Sequence, residues 1–431
     1  MGYRGSLSWL DELVAFGIKT GTSHTRSIAH EMGNPHLRFP SVLIGGTNGK
    51  GSTCAYLESV LRQSGFRTGF FTSPHLVDIR ERIAVGGKAV SRSVFAAAIS
   101  DVRRAYSRLE KRGELDEKPT FFEALTLAAF KIFAAEKIDI AVVEVGMGGG
   151  KDCTNILEPA ISVVTNTSLD HQQYLGRTIN EIAVEKAGIF RKRKPALIGR
   201  TSGRAEKLLA GEARRIGAEV HLMSAGKLIR KGDGFALLVG KEELLFPKPL
   251  LPGKHQVDNA ALAVLTAGEL AKLGFKISHE AILEGVEKCR WRGRLEKVSS
   301  MPDVYLDGAH NIDGIRTLKK FAAELKGKKV LVFGAMKDKP FEKMAAILVP
   351  CFEEVLLTEI PMERAAKKDD FQVLIKDDRS SFVRDPIKAL GKAKRRAGKN
   401  GVVVAAGSLY LVGYLLKHLE EKEGTAWGTG L

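Results

Sequence analysis

Apolar and polar positions follow two patterns that alternate almost from end to end of the chain. Short apolar runs bounded by turn residues predict buried strands at 42–44, 67–71, 139–145, 160–165, 304–306, 330–333 and 402–405. Between them, apolar residues three and four apart predict helices, as in Phe122, Leu125, Ala129 and Phe133 within 120–136. Helical spacing also covers 91–112, 178–190, 254–274 and 278–289, and a strand–helix–strand pattern covers 195–223. Residues 1–40 read as one or two helices and a loop. This alternation is the signature of a mostly parallel sheet with helices on its faces, so the class is α/β. Lys227 to Phe246 differs: short alternating runs around Gly232-Asp233-Gly234 and Gly240 predict antiparallel hairpins. A second alternating set begins after Trp291-Arg292-Gly293-Arg294, which places a domain boundary between 1–293 and a smaller Rossmann-like α/β unit, 294–431. Glu423 to Leu431 reads as a glycine-rich, mobile end.

Composition narrows the class of protein. With 431 residues, 44% of them apolar, two or three cores can be buried. No apolar run approaches the roughly 18 residues that span a bilayer, and the first residues carry Arg4, Asp11 and Glu12 where a secretion signal would be basic, then apolar. Cys54, Cys153, Cys289 and Cys351 are widely spaced, which argues against a zinc site or a disulfide framework and for a reducing cytoplasm. The net charge of +17 attracts anions in general. The basic runs at 191–194 and 392–396 lack interleaved aromatics, so charge is present without the stacking chemistry that reads nucleic acid.

The chemistry concentrates where the 42–44 run enters Gly45-Gly46-Thr47-Asn48-Gly49-Lys50-Gly51-Ser52-Thr53. Strand, glycine-rich turn and helix start form a phosphate loop: glycines let backbone N–H groups approach an anion, and Lys50 adds a mobile cation. It departs from the general pattern, with Ile44 at the first glycine position and the hydroxyl one residue late at Ser52. Glu144 ends the 139–145 run, and an acid so placed needs a cation, either magnesium or a salt-bridge partner. Thr72-Ser73-Pro74-His75 and Ser168-Leu169-Asp170-His171 also follow strands, where open α/β sheets bind ligands. His171 reads equally as a cap or a ligand. Glu181, Glu185 and Lys186 read as surface charges on a helix.

Taken together, the motifs resemble those of the folylpolyglutamate synthase/dihydrofolate synthase branch of the Mur ligase superfamily. They are GTNGKGS from Gly46, TSPHL from Thr72, TFFEALT from Thr120, VEVGMGG from Val143, DCTN from Asp152, SLDH to His171, EKAGIF from Glu185, HQVDNA from His255, WRGRLE from Trp291, DGAHN from Asp307 and FGAMKDK from Phe333. The resemblance spans nearly the whole chain. It implies a P-loop domain of the Mur ligase central type and chemistry in the cleft before the second domain. Carried over by position, Thr47, Asn48, Gly49, Lys50, Gly51, Ser52, Asn259, Arg294 and Asp307 would hold ATP. Ser73, Glu144 and His171 would ligate Mg2+, of which two ions are expected. Lys186 would be carbamylated by CO2, and His310 would complete the catalytic set with Lys50 and Lys186. Thr120, Phe121, Phe122, Glu123, Asp152, Cys153 and Thr154 would line the pterin side, although Phe122 reads equally as helix core.

The implied reaction is ATP-dependent amide ligation: a carboxylate of dihydropteroate or of a reduced folate is converted to an acyl phosphate, which the amine of L-glutamate attacks. ATP, L-glutamate, dihydropteroate and reduced folates are the implied partners, with no nucleic acid or membrane, in a cytoplasmic monomer. Two departures stand out. Gly150-Lys151 replace a usual Arg-Leu, which bears on substrate preference, and Ile312 replaces a common proline. The TSPHL, TFFEALT and DCTN segments argue against a cell-wall or cyanophycin-type ligase. A nucleotide-binding regulatory module or a basic nucleic-acid-associated ATPase is the alternative of a different class.

Overall fold

The structure is a computed structural model that describes residues 1–431 except 18, 225–226, 232–233, 240–241 and 424–431. The turns expected at Gly232-Asp233 and Gly240 and the tail beyond Glu423 lie outside the described residues, while the last helix, Leu409–Glu423, runs through Glu423 itself.

Three sheets organise the chain. The first contains Ser41–Gly45 (β1), Thr68–Phe71 (β2), Ile83–Val85 (β3), Lys88–Ala89 (β4), Ile140–Glu144 (β5), Ile161–Val164 (β6), Pro195–Ile198 (β7) and Glu219–Leu222 (β8), in the order β4-β3-β2-β5-β1-β6-β7-β8. Pairing from β2 to β8 is parallel, with β3 and β4 as an antiparallel edge that the apolar pattern did not predict because both are so short. Lys227–Lys231 (β9), Gly234–Val239 (β10) and Glu242–Phe246 (β11) make the expected antiparallel meander. The third sheet holds Glu296–Ser299 (β12), Asp303–Leu306 (β13), Lys329–Phe333 (β14), Glu354–Leu357 (β15), Ser380–Phe382 (β16) and Val402–Ala406 (β17), in the order β12-β13-β17-β14-β15-β16, parallel except at β12.

The strands read as unbroken apolar runs because both faces of each large sheet are covered. Leu43 of β1 enters the core beneath the helices Arg92–Lys111 and Phe121–Ala135, whereas Val42 and Ile44 enter the opposite core beneath Lys50–Gln63 and Lys254–Lys272. In β14, Leu331 and Phe333 face one core and Val330 and Val332 the other. Leu125, Ala129 and Phe133 are buried, as their spacing predicts. Among the described residues no helix is long and apolar enough to cross a membrane, and all four cysteines are free thiols.

The sheets meet through the Trp291–Glu296 stretch. Trp291 sets its ring edge-on to Phe70, with centroids 5.6 Å apart. On the far side, Leu76 and Val77 of the loop after β2 pack into the core beneath the Leu409–Glu423 helix. A Cβ at Gly413 would stand 2.1 Å from the Leu76 carbonyl oxygen, so this helix needs glycine to seat on that loop.

Candidate functional site

The carboxyl ends of β5, β1 and β6 lie side by side, with Ile44 opposite Glu144 and Gly45 opposite Val164. Loops leaving three adjacent parallel strands therefore open on one side of the sheet. Gly46 has φ +140°, and a Cβ there would fall 1.9 Å from Thr165 Oγ1; Gly49 has φ +82°, and a Cβ there would meet Asn259 Oδ1 at 2.4 Å. Neither position admits a side chain. Thr47 N–H donates to the Asn166 carbonyl (3.0 Å) and Asn48 N–H to Asn166 Oδ1 (2.9 Å), while the Asn48 carbonyl accepts from Thr165 Oγ1 (2.7 Å) and Asn166 Nδ2 (2.9 Å). Thr47 and Asn48 thus shape the loop with their own amides. Among the donors left for an anion are those of the first helical turn, Lys50, Gly51 and Ser52, which have no carbonyl one turn back within the helix. Gln256 Nε2 donates to Ser52 Oγ (3.3 Å) and Asn259 Nδ2 to Gln256 Oε1 (2.9 Å), so the Lys254–Lys272 helix braces the loop from outside.

Lys50 Nζ donates to the Thr47 carbonyl (3.3 Å) and stands 4.0 Å from Glu144 Oε1. Glu144 is 4% exposed, and its Oε2 accepts the Ser73 backbone N–H at 3.0 Å. Burial raises the Glu144 carboxyl, against the pull of Lys50, the Ser73 amide, Arg294 and Arg82. Ser73 and Glu144 are joined directly because β2 and β5 are neighbours. His171 comes from the loop after β6, at φ +48°, and its ring makes no hydrogen bond with either among the described residues. Burial lowers its pKa, which keeps the imidazole in the neutral, metal-ligating form. No group of three or more His, Cys, Asp or Glu forms a metal cluster among the described residues.

Lys186 overturns its reading as a surface lysine. It lies on the Ile179–Ala187 helix, is 2% exposed, and has no hydrogen bond or ion pair among the described residues. Burial, and then the Lys50 charge, push its amine down to about 7. The cause is close packing: the helix lies on the loop after β5, where a Cβ at Gly188 would be 2.4 Å from Gly150 Cα and one at Gly149 would be 2.7 Å from the Glu185 carbonyl oxygen. Asn155 Nδ2 spans the contact, donating to the carbonyls of Gly150 (2.9 Å) and Gly188 (3.1 Å). Helical periodicity alone could not reveal a loop pressed on that face.

The residues expected on the pterin side do interior work. Thr120 and Glu123 form a reciprocal capping box, and Glu123 Oε1 also accepts from Thr25 Oγ1 (2.9 Å) and faces His24 Nδ1 (3.1 Å). Asp152 accepts from the Met147 and Thr154 amides (2.9 and 3.0 Å), and Cys153 Sγ lies 3.3 Å from Thr126 Oγ1. Cys153 and Thr154 are buried. Phe122 stacks on Phe71 with centroids 5.8 Å apart and stays partly open, while Phe121 lies beneath the Arg82 guanidinium at 5.3 Å. Buried Arg82, to which the sequence reading gave no role, donates from Nε to His75 Nδ1 at 2.9 Å.

From the third sheet, Asp307 accepts the Leu295 and Ala309 amides (3.0 and 2.9 Å) and holds the strand exit in shape. Half-buried Arg294 makes no ion pair within 4 Å among the described residues. His310 Nδ1 lies 2.8 Å from the Gly308 carbonyl, which can only accept, so Nδ1 carries the proton and Nε2 offers a lone pair. Burial pushes this imidazole down to about 4. Asp170, Asn311 and Lys339 also meet here; each sits inside a motif, but residue type alone gave no sign of contact between them.

Comparison with known proteins matches residues 44–267 to the Mur ligase middle domain and residues 293–409 to the Mur ligase glutamate ligase domain. The dihydrofolate synthase/folylpolyglutamate synthase of Bacillus subtilis is 32% identical, over 97% of this chain and 99% of the relative. Among solved structures, E. coli FolC in complex with DHPP and ADP superposes with a TM-score of 0.88 at 29% identity, covering 97% of this chain and 98% of that one. A bifunctional folylpolyglutamate synthase/dihydrofolate synthase with Mn, AMPPNP and L-glutamate bound gives 0.85 at 29% identity, covering 96% and 98%.

Proposed function

This chain belongs to the folylpolyglutamate synthase/dihydrofolate synthase family of Mur ligases, and from that premise we propose how its residues carry out ATP-dependent ligation of glutamate to folates. The acceptor is dihydropteroate, a reduced folylpolyglutamate, or both. A carboxylate resists attack because its charge repels nucleophiles and oxide is a poor leaving group, so its oxygen first takes the γ-phosphoryl of ATP, releasing ADP. The glutamate amine then adds to the acyl carbon, loses a proton, and expels phosphate.

The observation that carries this reading is Glu144, a buried carboxylate held between the Ser73 amide and Lys50 at the head of a phosphate loop. Such an acid fits a divalent cation, because burial penalises its charge and Lys50 neutralises it only across 4.0 Å. Glu144, the Ser73 hydroxyl and neutral His171 would hold the ion, an oxygen-rich set suited to magnesium or manganese. When bound, the metal neutralises the β- and γ-phosphate oxygens. Lys50 and the first-turn amides bind the phosphates, and Arg294, free of any ion pair among the described residues, supplies charge from the third sheet.

Lys186 fits carbamylation: an amine pushed down to about 7 is substantially neutral at neutral pH, and its lone pair can add to CO2 with loss of a proton. The resulting anion would lie near Lys50 and orient a second metal ion. His310, with Nδ1–H fixed on the Gly308 carbonyl, presents Nε2 to the incoming amine. The unit that binds ATP ends near Gly293.

The test is glutamate-dependent ADP release from magnesium-ATP, with dihydropteroate and tetrahydrofolate offered separately. Turnover with either supports the reading and fixes the acceptor; no turnover with both refutes the folate assignment.

A further inference from the structure

We infer that Asp170, Asn311 and Lys339 form a clasp that positions the phosphate loop against the unit built on the third sheet, so that the transfer step requires both units in one register. Asn311 follows β13 and caps the Ile312–Glu324 helix, with Oδ1 accepting the Gly314 N–H at 2.9 Å. Its Nδ2 points the other way, donating to Asn48 Oδ1 in the phosphate loop (2.9 Å) and to Asp170 Oδ2 (3.1 Å). One side chain therefore serves its own helix and reads two loops of the first sheet. Lys339, beyond β14, donates from Nζ to Asp170 Oδ1 at 3.1 Å. Asp170 Oδ1 also accepts the His171 N–H at 2.9 Å, so both oxygens of this carboxylate are engaged.

Geometry gives these contacts more than a cohesive role. The Asp170 and Lys339 side chains are each 12% exposed, and an ion pair withdrawn that far from water adds little net stability while fixing orientation. Two clasp residues adjoin candidate site residues, Asp170 preceding His171 and Asn311 following His310, and Asn48, the loop partner of Asn311, lies two residues before Lys50. The Asn48 backbone is itself pinned to Thr165 and Asn166, so a shift of the second unit pulls on the loop and not on a free side chain. All three act as positioning residues, since none needs to touch substrate for the clasp to operate.

The kinetic arm of the test rests on the ligase reading; the scattering arm does not. Asn311→Ser keeps the helix cap and removes both donors, while Asp170→Asn and Lys339→Met break the ion pair from either side. Each should lower kcat by about tenfold with KM for ATP and glutamate changed by less than about twofold, and the Asp170→Asn/Lys339→Met double variant should fall no further than the worse single. Small-angle scattering with magnesium and a non-hydrolysable ATP analogue should show a larger radius of gyration in the variants than in the parent. Additive losses, a rise in glutamate KM confined to Lys339→Met, or identical scattering would overturn the clasp. If the parent itself shows no glutamate-dependent ADP release, the ligase reading fails and scattering alone decides the clasp.

Discussion

The carboxylate of Glu144 stands 4.0 Å from the ammonium of Lys50, across the gap between the end of β5 and the start of the phosphate-loop helix. The strand register sets this distance, since Glu144 lies opposite Ile44 and the loop begins just beyond it. Replacing the acid by Gln should leave the fold intact and lower kcat by at least about 100-fold, because the proposed metal site loses the carboxylate of Glu144. Manganese binding followed by electron paramagnetic resonance should weaken in parallel. Near-parental turnover in Glu144→Gln would remove this residue from the metal site.

Lys186 combines a stability cost with a proposed chemical role. Its folded pKa is lowered from 10.5 to about 7, so between those values the unfolded chain binds the extra proton and stability rises with pH. The penalty for burying the cation is full below about 7. With bicarbonate present Lys186→Met should therefore abolish turnover, yet in CO2-free buffer it should raise unfolding free energy at neutral pH by about 1–3 kcal/mol, an advantage that shrinks toward about pH 9. Urea denaturation at the two pH values checks this, and a destabilised Lys186→Met would contradict it.

Gly188 and Gly150 touch backbone to backbone, so the position of Lys186 depends on the absence of a side chain there. Gly188→Ala should destabilise by about 1–3 kcal/mol, since backbone cannot yield as a flexible side chain does. Its kcat should drop as Lys186 moves. Gly211, on the Gly203–Ile216 helix, has open space around its missing Cβ, so Gly211→Ala should stabilise by about 0.5–1 kcal/mol. Thermal melts of both variants test the contrast.

His24 ties the N-terminal helices to the Phe121–Ala135 helix, with Nδ1 3.1 Å from Glu123 Oε1 and Nε2 2.9 Å from the Glu117 carbonyl. Burial disfavours the charged ring, but the Glu123 carboxylate and the Glu117 carbonyl outweigh it and raise the pKa. A raised histidine pKa gives stabilisation that is full below the unfolded value and lost as pH climbs through the folded one. The stability difference between the parent and His24→Gln should be about 1 kcal/mol or less near pH 6 and smaller still near pH 8.5. A difference that does not change with pH would show that the ring acts only by packing.

Much of the fold is legible in the sequence because buried parallel strands must be continuously apolar and their helices must present an apolar stripe. Val42 to Ile44, Val330 to Phe333 and the spacing of Leu125, Ala129 and Phe133 declare themselves in this way. The edge strands β3 and β4 are too short to carry a pattern. Lys50 and Glu144 were legible because each breaks its local rule: a lysine at a helix start among glycines, and an acid closing an apolar run.

By itself, then, the sequence determined the α/β class, the phosphate loop and the motif set that marks the family, all of which depend on neighbours along the chain. Only the tertiary structure decided that Lys186 is buried, that Thr47 and Asn48 spend their amides inside the protein, and that Asp170, Asn311 and Lys339 meet. Lys186 and the Gly149-Gly150 loop, or Asp170 and Lys339, are far apart in sequence, and a residue's own type and spacing say nothing of what a distant segment will press against it. Burial and charge pairing of that kind arise only when separate strands deliver their loops to the same side of the sheet.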